Sequence, residues 1–182
     1  MKVTPLAIPD VCLIEPQVIG DSRGFFLTTW NADAFAGEVC DATFVQDNTS
    51  RSRQWTLRGL HFQAQHTQGK LVRCSAGRVW DVAVDIRASS SSFGQWVSAE
   101  LSDENHHQLW IPPGFAHGFV VLSESADLYY KVTDRYHPAS ERTLQWNDPA
   151  LGIPWPIPVG TMPLLSPKDL NGTLLSDLEA LP

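Results

Sequence analysis

The chain has 182 residues, 43% of them hydrophobic, and carries a formal net charge of −7 at neutral pH. This length and composition are typical of one globular domain, which we expect to span residues 1–182. The acidic balance argues against nucleic acid as a partner, although basic residues that converge locally could still bind a small anion.

Cysteine content and hydropathy limit the cellular context. The three cysteines, Cys12, Cys40 and Cys74, form no CxxC pair, which argues against a disulfide framework and against a structural zinc site. The N-terminal segment lacks the apolar core of a signal peptide, and no apolar run approaches the ~20 residues that a membrane helix needs. We therefore expect a cytoplasmic protein that does not associate with membranes.

Local signals in the first half of the chain indicate one helix and then strands. Asn31 is a candidate N-cap for a short helix through Phe35. Residues 79–87 alternate as a strand does, and the turn-forming residues 75–77 would make a hairpin between this strand and residues 70–74. The apolar face of residues 79–87 comprises Val82, Val84 and Ile86.

The second half of the chain continues as short strands. Their spacing predicts an antiparallel barrel or sandwich. The proline-rich residues 149–167 read as an extended loop, and Ser166-Pro167 reads as a second helix start. Residues 174–181 are a candidate for further helix. The additional strands are predicted over residues 96–101, 108–111, 117–122, 128–132 and 143–146.

Two histidine-bearing segments are the main candidates for chemistry. His61 lies in Arg58-Gly59-Leu60-His61-Phe62-Gln63, and Lys70 follows nine positions later. A histidine can remove a proton beside a carbonyl while a cation holds the resulting charge. Because side chains alternate along a strand, Arg58 should face away from His61 unless the strand bulges between them.

The second segment is Pro112-Pro113-Gly114-Phe115-Ala116-His117, where a rigid turn leads into a strand. The pattern is similar to part of a cupin metal motif. A metal-binding cupin usually adds a His-x-His pair, but His61 is followed by Phe62 and Gln63, so an open site with about three ligands is not supported. We therefore expect neither a metal nor another cofactor.

Two further candidates each have a structural alternative. Tyr129 and Tyr130 alternate, so one of them faces the interior, where its phenol either donates a proton or fills the core. Asp169 occupies the acidic position of a Ser-x-x-Asp capping box, and spacing alone favours that role. Its alternative is to orient His61 as the acid of a His-Asp pair.

Taken together, these motifs resemble a known family. The chain is similar to the dTDP-4-dehydrorhamnose 3,5-epimerases, which are metal-independent cupins of deoxysugar biosynthesis. The matching blocks are individually weak, but they occur in the family's order over nearly the whole chain. They comprise residues 21–26, 46–48, 58–63, 69–72, 81–87, 112–119, 130–131, 146–149 and 165–169.

The resemblance implies an all-β fold, a double-stranded β-helix (cupin jelly roll) with a few short peripheral helices. It implies that His61 is the base for the C3 and C5 protons and that Asp169 is its partner. It further implies that Tyr130 is the acid on the opposite face and that Lys70 is the cation near the C4 oxygen. The residues that it assigns to substrate binding are Arg23, Phe26, Gln46, Asn48, Arg58, His117, Glu141 and Lys168.

The predicted activity is therefore epimerisation of dTDP-4-keto-6-deoxy-D-glucose at C3 and C5 through enolates, in dTDP-L-rhamnose biosynthesis. The resemblance also implies a homodimer in which some site residues come from the second subunit. Thr28 stands where a glutamate is common in the nucleotide-binding segment, so the base preference stays open. Three alternatives also remain, namely a C3-only or C5-only epimerase, a non-catalytic sugar-binding jelly roll and a metal-dependent cupin.

Overall fold

The computed structural model describes residues 1–179 and 181. The strands are β1 (Lys2–Pro5), β2 (Cys12–Glu15), β3 (Val18–Asp21), β4 (Gly24–Leu27), β5 (Gln46–Arg53), β6 (Leu57–Gln63), β7 (Lys70–Ala76), β8 (Arg78–Asp85), β9 (Trp96–Ser102), β10 (Gln108–Ile111), β11 (Phe115–Val121), β12 (Ser125–Val132) and β13 (Glu141–Thr143). They pair antiparallel in a six-stranded sheet of order β1-β2-β10-β7-β12-β5 and a five-stranded sheet of order β13-β6-β11-β8-β9, while β3 and β4 form a separate hairpin. The predicted all-β jelly roll is thereby confirmed.

In the described part of the chain, two short α-helices lie at the periphery, as predicted. They are α1 (Ala32–Glu38) and α2 (Pro167–Leu170). Asn31 caps α1, since its Oδ1 accepts a hydrogen bond of 3.0 Å from the backbone N–H of Ala34. Short 3-10 helices lie at Pro138–Ser140 and Leu175–Asp177. Within residues 1–179 and 181, no helix combines the length and the apolar character required to cross a lipid bilayer.

The prediction of a helical tail over residues 174–181 is wrong beyond that single 3-10 turn. Leu181 is extended instead, because its backbone exchanges hydrogen bonds with Ile86 (3.0 Å) and Ala88 (2.7 Å). Its side chain is buried against the five-stranded sheet. A parallel bridge to Arg87, just beyond the end of β8, therefore overrides the weak local helix preference. Ala180 lies outside the described residues.

Strand β8 contributes side chains to the hydrophobic core on both of its faces. Val82 and Val84 pack on the outer side of the five-stranded sheet, beneath the C-terminal segment. Val79 and Ala83 face the other way, into the core that the two sheets share. The predicted alternation is thus confirmed, but both faces of the strand are buried. Asp81 and Asp85, which fall on the inner-facing positions, are fully buried carboxylates.

The predicted hairpin between β7 and β8 is wrong. Strand β7 pairs with β10 and β12, whereas β8 pairs with β9 and β11. Gly77, at φ +76°, does make a turn there, but the turn carries the chain from one sheet to the other. A turn signal shows where a strand ends, whereas its pairing partner depends on which sheet can bury its side chains.

Candidate active site

A cavity of about 330 Å³ opens between the two sheets. Strands β5, β7 and β12 of the six-stranded sheet form one side, and β6, β11 and β13 of the five-stranded sheet form the other. Nine of the predicted site residues line it, and these are Gln46, Asn48, Arg58, His61, Lys70, His117, Tyr130, Glu141 and Lys168.

Asp169 lies directly behind His61 and serves two structures at once. Its Oδ1 is 2.6 Å from Nε2 of His61 and accepts a hydrogen bond of 3.2 Å from the backbone N–H of Gly59. Its Oδ2 accepts from the hydroxyl of Ser166 at 2.6 Å and completes the capping box of α2. The capping role predicted from spacing is confirmed, and the same carboxylate contacts the histidine.

These contacts set the protonation of the pair. Burial alone would raise the pKa of Asp169, but hydrogen bonds from His61 and Ser166 outweigh it and lower the pKa to about 2. The ionised carboxylate can only accept, so Nε2 of His61 carries the proton and Nδ1 keeps a lone pair. Burial lowers the pKa of His61 despite the opposing effect of Asp169. The imidazole is therefore neutral, and one ring nitrogen is available to accept a proton.

A β-bulge brings Arg58 to the same side as His61. In the pairing of β6 with β11, His61 lies opposite His117, whereas Arg58 lies opposite Phe119. Three steps along β6 thus match two steps along β11, which reverses the alternation between the two side chains. Gly59 sits inside the bulge at φ +132°. Both Arg58 and His61 consequently line the cavity.

Lys70 shares the cavity with His61 at the start of β7. Its Nζ donates a hydrogen bond of 3.2 Å to the backbone oxygen of His61. Burial lowers the pKa of Lys70 to about 8, against the smaller opposing effects of Asp81 and Glu141. A buried ammonium next to the histidine is suited to stabilise a negative oxygen, because it interacts strongly in a medium of low dielectric constant.

Of the two adjacent tyrosines, Tyr130 is the one that lines the cavity. Tyr129 points outward, where its hydroxyl bonds to the carboxylate of Asp47. Burial raises the pKa of Tyr130, against a smaller lowering by Arg58. Its phenol is therefore protonated at neutral pH. Tyr130 belongs to the six-stranded sheet and His61 to the five-stranded sheet, so the two groups reach the cavity from different walls.

His117 forms a second buried pair with a carboxylate. Its Nε2 lies 2.9 and 3.0 Å from the two carboxylate oxygens of Asp81. Both residues are buried, which fixes the ring at the cavity wall. Within residues 1–179 and 181, histidine, cysteine and acidic side chains form no group of three or more that could hold a metal ion.

Polar pairs form the rim of the cavity. Lys168 Nζ is 2.7 Å from Oε1 of Glu141, and the hydroxyl of Tyr136 donates to Oε2 of the same carboxylate at 3.1 Å. Gln46 Nε2 donates to Oδ1 of Asn48 at 2.7 Å. Because Arg58, Lys70 and Lys168 outnumber Glu141 in the lining, the site suits an anionic ligand despite the acidity of the whole chain.

Two predicted binding residues lie apart from this cavity. Arg23 and Phe26 belong to the β3–β4 hairpin and line a separate shallow pocket. Arg23 is bound to Asp21 at 2.6 Å, and Phe26 is 66% exposed. Within one chain, the structure does not bring these two residues to His61.

Six lining residues were not predicted. Alternation along strands could have found three of them, since Ser50 continues the Gln46–Asn48 face of β5, Gln63 shares the face of His61, and Phe119 follows His117. Phe62, Gln68 and Tyr136 follow no such pattern, since two of them lie in connecting loops and Phe62 lies next to His61. The six are Ser50, Phe62, Gln63, Gln68, Phe119 and Tyr136.

Known proteins resemble this chain over its whole length. The family model described as dTDP-4-dehydrorhamnose 3,5-epimerase matches residues 5–177. The dTDP-4-dehydrorhamnose 3,5-epimerase of Pseudomonas aeruginosa is 55% identical, and the alignment covers 100% of both chains.

Solved structures agree with the sequence matches. The crystal structure of the 3,5-epimerase RmlC from Legionella pneumophila, in complex with dTDP-4-keto-L-rhamnose, superposes with a TM-score of 0.93 at 50% identity, covering 96% of this chain and 93% of that one. The 3'-monoepimerase ChmJ from Streptomyces bikiniensis, in complex with dTDP-quinovose, superposes with a TM-score of 0.89 at 31% identity, covering 95% of this chain and 87% of that one. The chain therefore belongs to the dTDP-4-dehydrorhamnose 3,5-epimerase family.

Proposed function

We propose that this chain inverts C3 and C5 of dTDP-4-keto-6-deoxy-D-glucose, with His61 as the base. As a member of its family, the chain is an isomerase of dTDP-rhamnose biosynthesis. The observation that carries the assignment of roles is one cavity that contains His61, Lys70 and Tyr130, with Asp169 bonded behind the histidine.

The proposed chemistry starts from the C4 ketone, which acidifies the hydrogens on C3 and C5. Nδ1 of His61 removes one of these protons, and the electrons of the broken C–H bond move to the C4 oxygen as an enolate. The ammonium of Lys70 stabilises that oxygen, and Asp169 stabilises the imidazolium. No external oxidant or reductant is needed, because the electron pair returns to carbon in the next step.

Inversion requires the new proton to arrive on the opposite face. Tyr130 is suited to deliver it, because its protonated phenol enters the cavity from the six-stranded sheet while His61 enters from the five-stranded sheet. As the C–H bond forms, the phenolate left on Tyr130 takes a proton from solvent and His61 returns its proton to solvent. Repetition at the second carbon gives the 3,5-epimer.

Substrate binding completes the proposal. Arg58, His117 and Lys168 supply polar and positively charged groups for the sugar and the diphosphate, and Gln46, Asn48 and Glu141 supply further polar contacts. We infer a homodimer in which the β3–β4 hairpin supplies Arg23 and Phe26 to the partner's cavity, since neither residue reaches the cavity of its own chain. We also infer a cytoplasmic location.

One incubation tests this function. The purified protein is mixed with dTDP-4-keto-6-deoxy-D-glucose in D₂O, and the product is followed by NMR. We expect deuterium at both C3 and C5 together with the L-configured product. A chain that binds the sugar without any solvent exchange would be a non-catalytic jelly roll, and activity lost on treatment with a chelator would indicate a metal-dependent cupin.

A single-carbon epimerase is the second candidate, and the match to the 3'-monoepimerase ChmJ favours it. The higher identity to 3,5-epimerases, 55% against 31%, favours the double reaction. The same NMR spectra distinguish the two, because a single-carbon enzyme would accumulate product inverted at C3 or C5 alone.

A further inference from the structure

The buried side chain of Gln63 holds the loop that carries Tyr136. We propose that Gln63 is a positioning residue for substrate binding, which acts by fixing Tyr136 at the rim of the cavity. The inference rests on the proposed function, because it concerns the same cavity. The side-chain hydrogen bonds of Gln63 go to backbone groups of loops and not to the proposed acid–base groups.

The amide of Gln63 makes three hydrogen bonds, all of them to backbone groups. Its Nε2 donates to the backbone oxygens of His66 (2.6 Å) and Arg135 (3.2 Å), and its Oε1 accepts from the backbone N–H of His137 (2.7 Å). Both N–H groups of the amide are thereby used. Gln63 is only 4% exposed, and its three hydrogen bonds are partly buried at the wall of the cavity.

The two contacts with the later loop flank Tyr136 directly. Arg135 precedes it and His137 follows it, so the amide of Gln63 is hydrogen-bonded to the backbone on both sides of the tyrosine. Tyr136 is 52% exposed and lines the cavity, and its hydroxyl donates to Glu141 at 3.1 Å. Besides these contacts, the backbone N–H of Tyr136 donates only a longer hydrogen bond of 3.4 Å to Oε1 of Gln46. The shorter bonds on both sides of the ring come from Gln63, which lies in the same strand as His61.

Other contacts would keep the loop folded without Gln63. Gln68 donates to the backbone oxygen of Asp134 at 2.8 Å, and Gly69 and Thr133 exchange two hydrogen bonds. Loss of the Gln63 amide should consequently loosen Tyr136 while Lys70 and Tyr130 stay in their strands. We expect weaker binding of the substrate and an almost unchanged chemical step.

The test is a double-mutant cycle with Gln63→Ala, Tyr136→Ala and the combined variant. For Gln63→Ala we expect the KM for the nucleotide sugar to rise about tenfold, with kcat for deuterium exchange within about twofold of the original. In the combined variant the KM should match that of Tyr136→Ala alone, because the two residues act as one unit. Additive effects on KM, or an effect mainly on kcat, would overturn the proposal.

Two further variants serve as the control for this test and as a replacement for Gln63→Ala. Gln54→Ala is the control, because Gln54 is an exposed glutamine that donates to the backbone oxygen of Leu122 outside the cavity, and it should leave the KM unchanged. If Gln63→Ala does not fold, Gln63→Met replaces it. This variant keeps the length of the side chain but removes all three amide hydrogen bonds, and a KM rise of about tenfold without a change in kcat supports the proposal. An unchanged KM contradicts it.

A binding measurement separates this inference from the proposed function. Titration calorimetry measures the affinity for dTDP, which depends on contacts at the rim of the cavity, in the absence of turnover. If the original protein shows no solvent exchange, the epimerase assignment fails, yet weaker dTDP binding by Gln63→Ala would still support the positioning role. If exchange is normal and dTDP binds Gln63→Ala with unchanged affinity, the positioning role alone is wrong.

Discussion

At the residue scale, the site depends on two groups whose pKa values are both lowered by burial. For His61 this keeps the imidazole neutral, which a base requires. For Lys70 it brings the pKa to about 8, so that the ammonium is still the major form at neutral pH. Burial therefore keeps His61 neutral, and it also brings the pKa of Lys70 to within about one unit of neutral pH.

The pH dependence of kcat/KM follows from these two directions. Activity should fall on the acid side as His61 becomes protonated, below the ordinary histidine value of 6.5. It should fall on the alkaline side as Lys70 loses its proton near pH 8. A bell-shaped profile of initial rates is expected. A profile that stays flat from pH 7 to beyond pH 9 would remove Lys70 from the mechanism.

The variant Lys70→Arg isolates the alkaline limb. A guanidinium keeps its charge up to a pKa above ~12, so the fall near pH 8 should disappear from whatever activity remains. The acid limb should stay in place, because it belongs to His61. If the alkaline limb remains unchanged in Lys70→Arg, another group is responsible for it.

At the scale of the element, the bulge in β6 decides which side chains meet. A Cβ on Gly59 would lie 2.5 Å from the Cα of Gly118 and 2.9 Å from the backbone oxygen of His117. Gly24 has the same φ of +132°, but nothing lies within 4 Å of the corresponding Cβ. The two glycines therefore separate the effect of the backbone conformation from that of the close strand approach.

Alanine substitutions at these glycines should differ in stability. Gly24→Ala carries the conformational penalty alone, about 1–3 kcal/mol of unfolding free energy. Gly59→Ala carries the same penalty plus overpacking against β11, which adds about 1–3 kcal/mol. Urea unfolding followed by fluorescence measures both. Equal losses in the two variants would mean that β6 and β11 do not approach as closely as described.

The same bulge shows what the sequence can predict. Alternation correctly placed the two faces of β8, and the capping signals located both helices, because these are local properties. Alternation also predicted that Arg58 faces away from His61 unless the strand bulges between them. The bulge itself could not be predicted, because nothing in the residues fixes where one strand gains a residue over its partner. The partners of β7 were missed for the same reason, as pairing is decided by distant strands.

The residues of the site show the same difference between local signals, which the sequence carries, and long-range contacts, which it does not. The identities of His61, Lys70 and Tyr130 stood out from chemistry and from the family resemblance. Their meeting in one cavity required the two sheets to pack. Tyr136 was missed because a loop residue has no periodic signal, and its place is set by hydrogen bonds from Gln63.

At the scale of the whole molecule, the β3–β4 hairpin exposes a group of apolar side chains that its own chain leaves uncovered. Val18, Ile19, Phe25 and Phe26 are all large apolar side chains with 44–66% exposure. Exposed apolar residues beside Arg23 suit a contact with a second subunit. We therefore expect sedimentation to give twice the chain mass of 20.2 kDa.

Subunit complementation tests whether the hairpin completes the partner's site. One variant carries Arg23→Ala with Phe26→Ala, and the other carries His61→Ala; each should be nearly inactive alone. Coexpression gives mixed dimers with one complete site, which should restore about a quarter of the original activity if subunits pair at random. Activity no greater than that of the separate variants would show that each chain uses its own hairpin.

The most direct test of the central claim is solvent exchange by His61→Ala in D₂O, compared with Tyr130→Phe. If His61 is the base, its replacement should lower the exchange of substrate hydrogens by about 10²–10⁴-fold. Tyr130→Phe should still exchange hydrogen but should invert the carbon centres poorly. Exchange at the original rate in His61→Ala would contradict the account, because the proton would then be removed by another group.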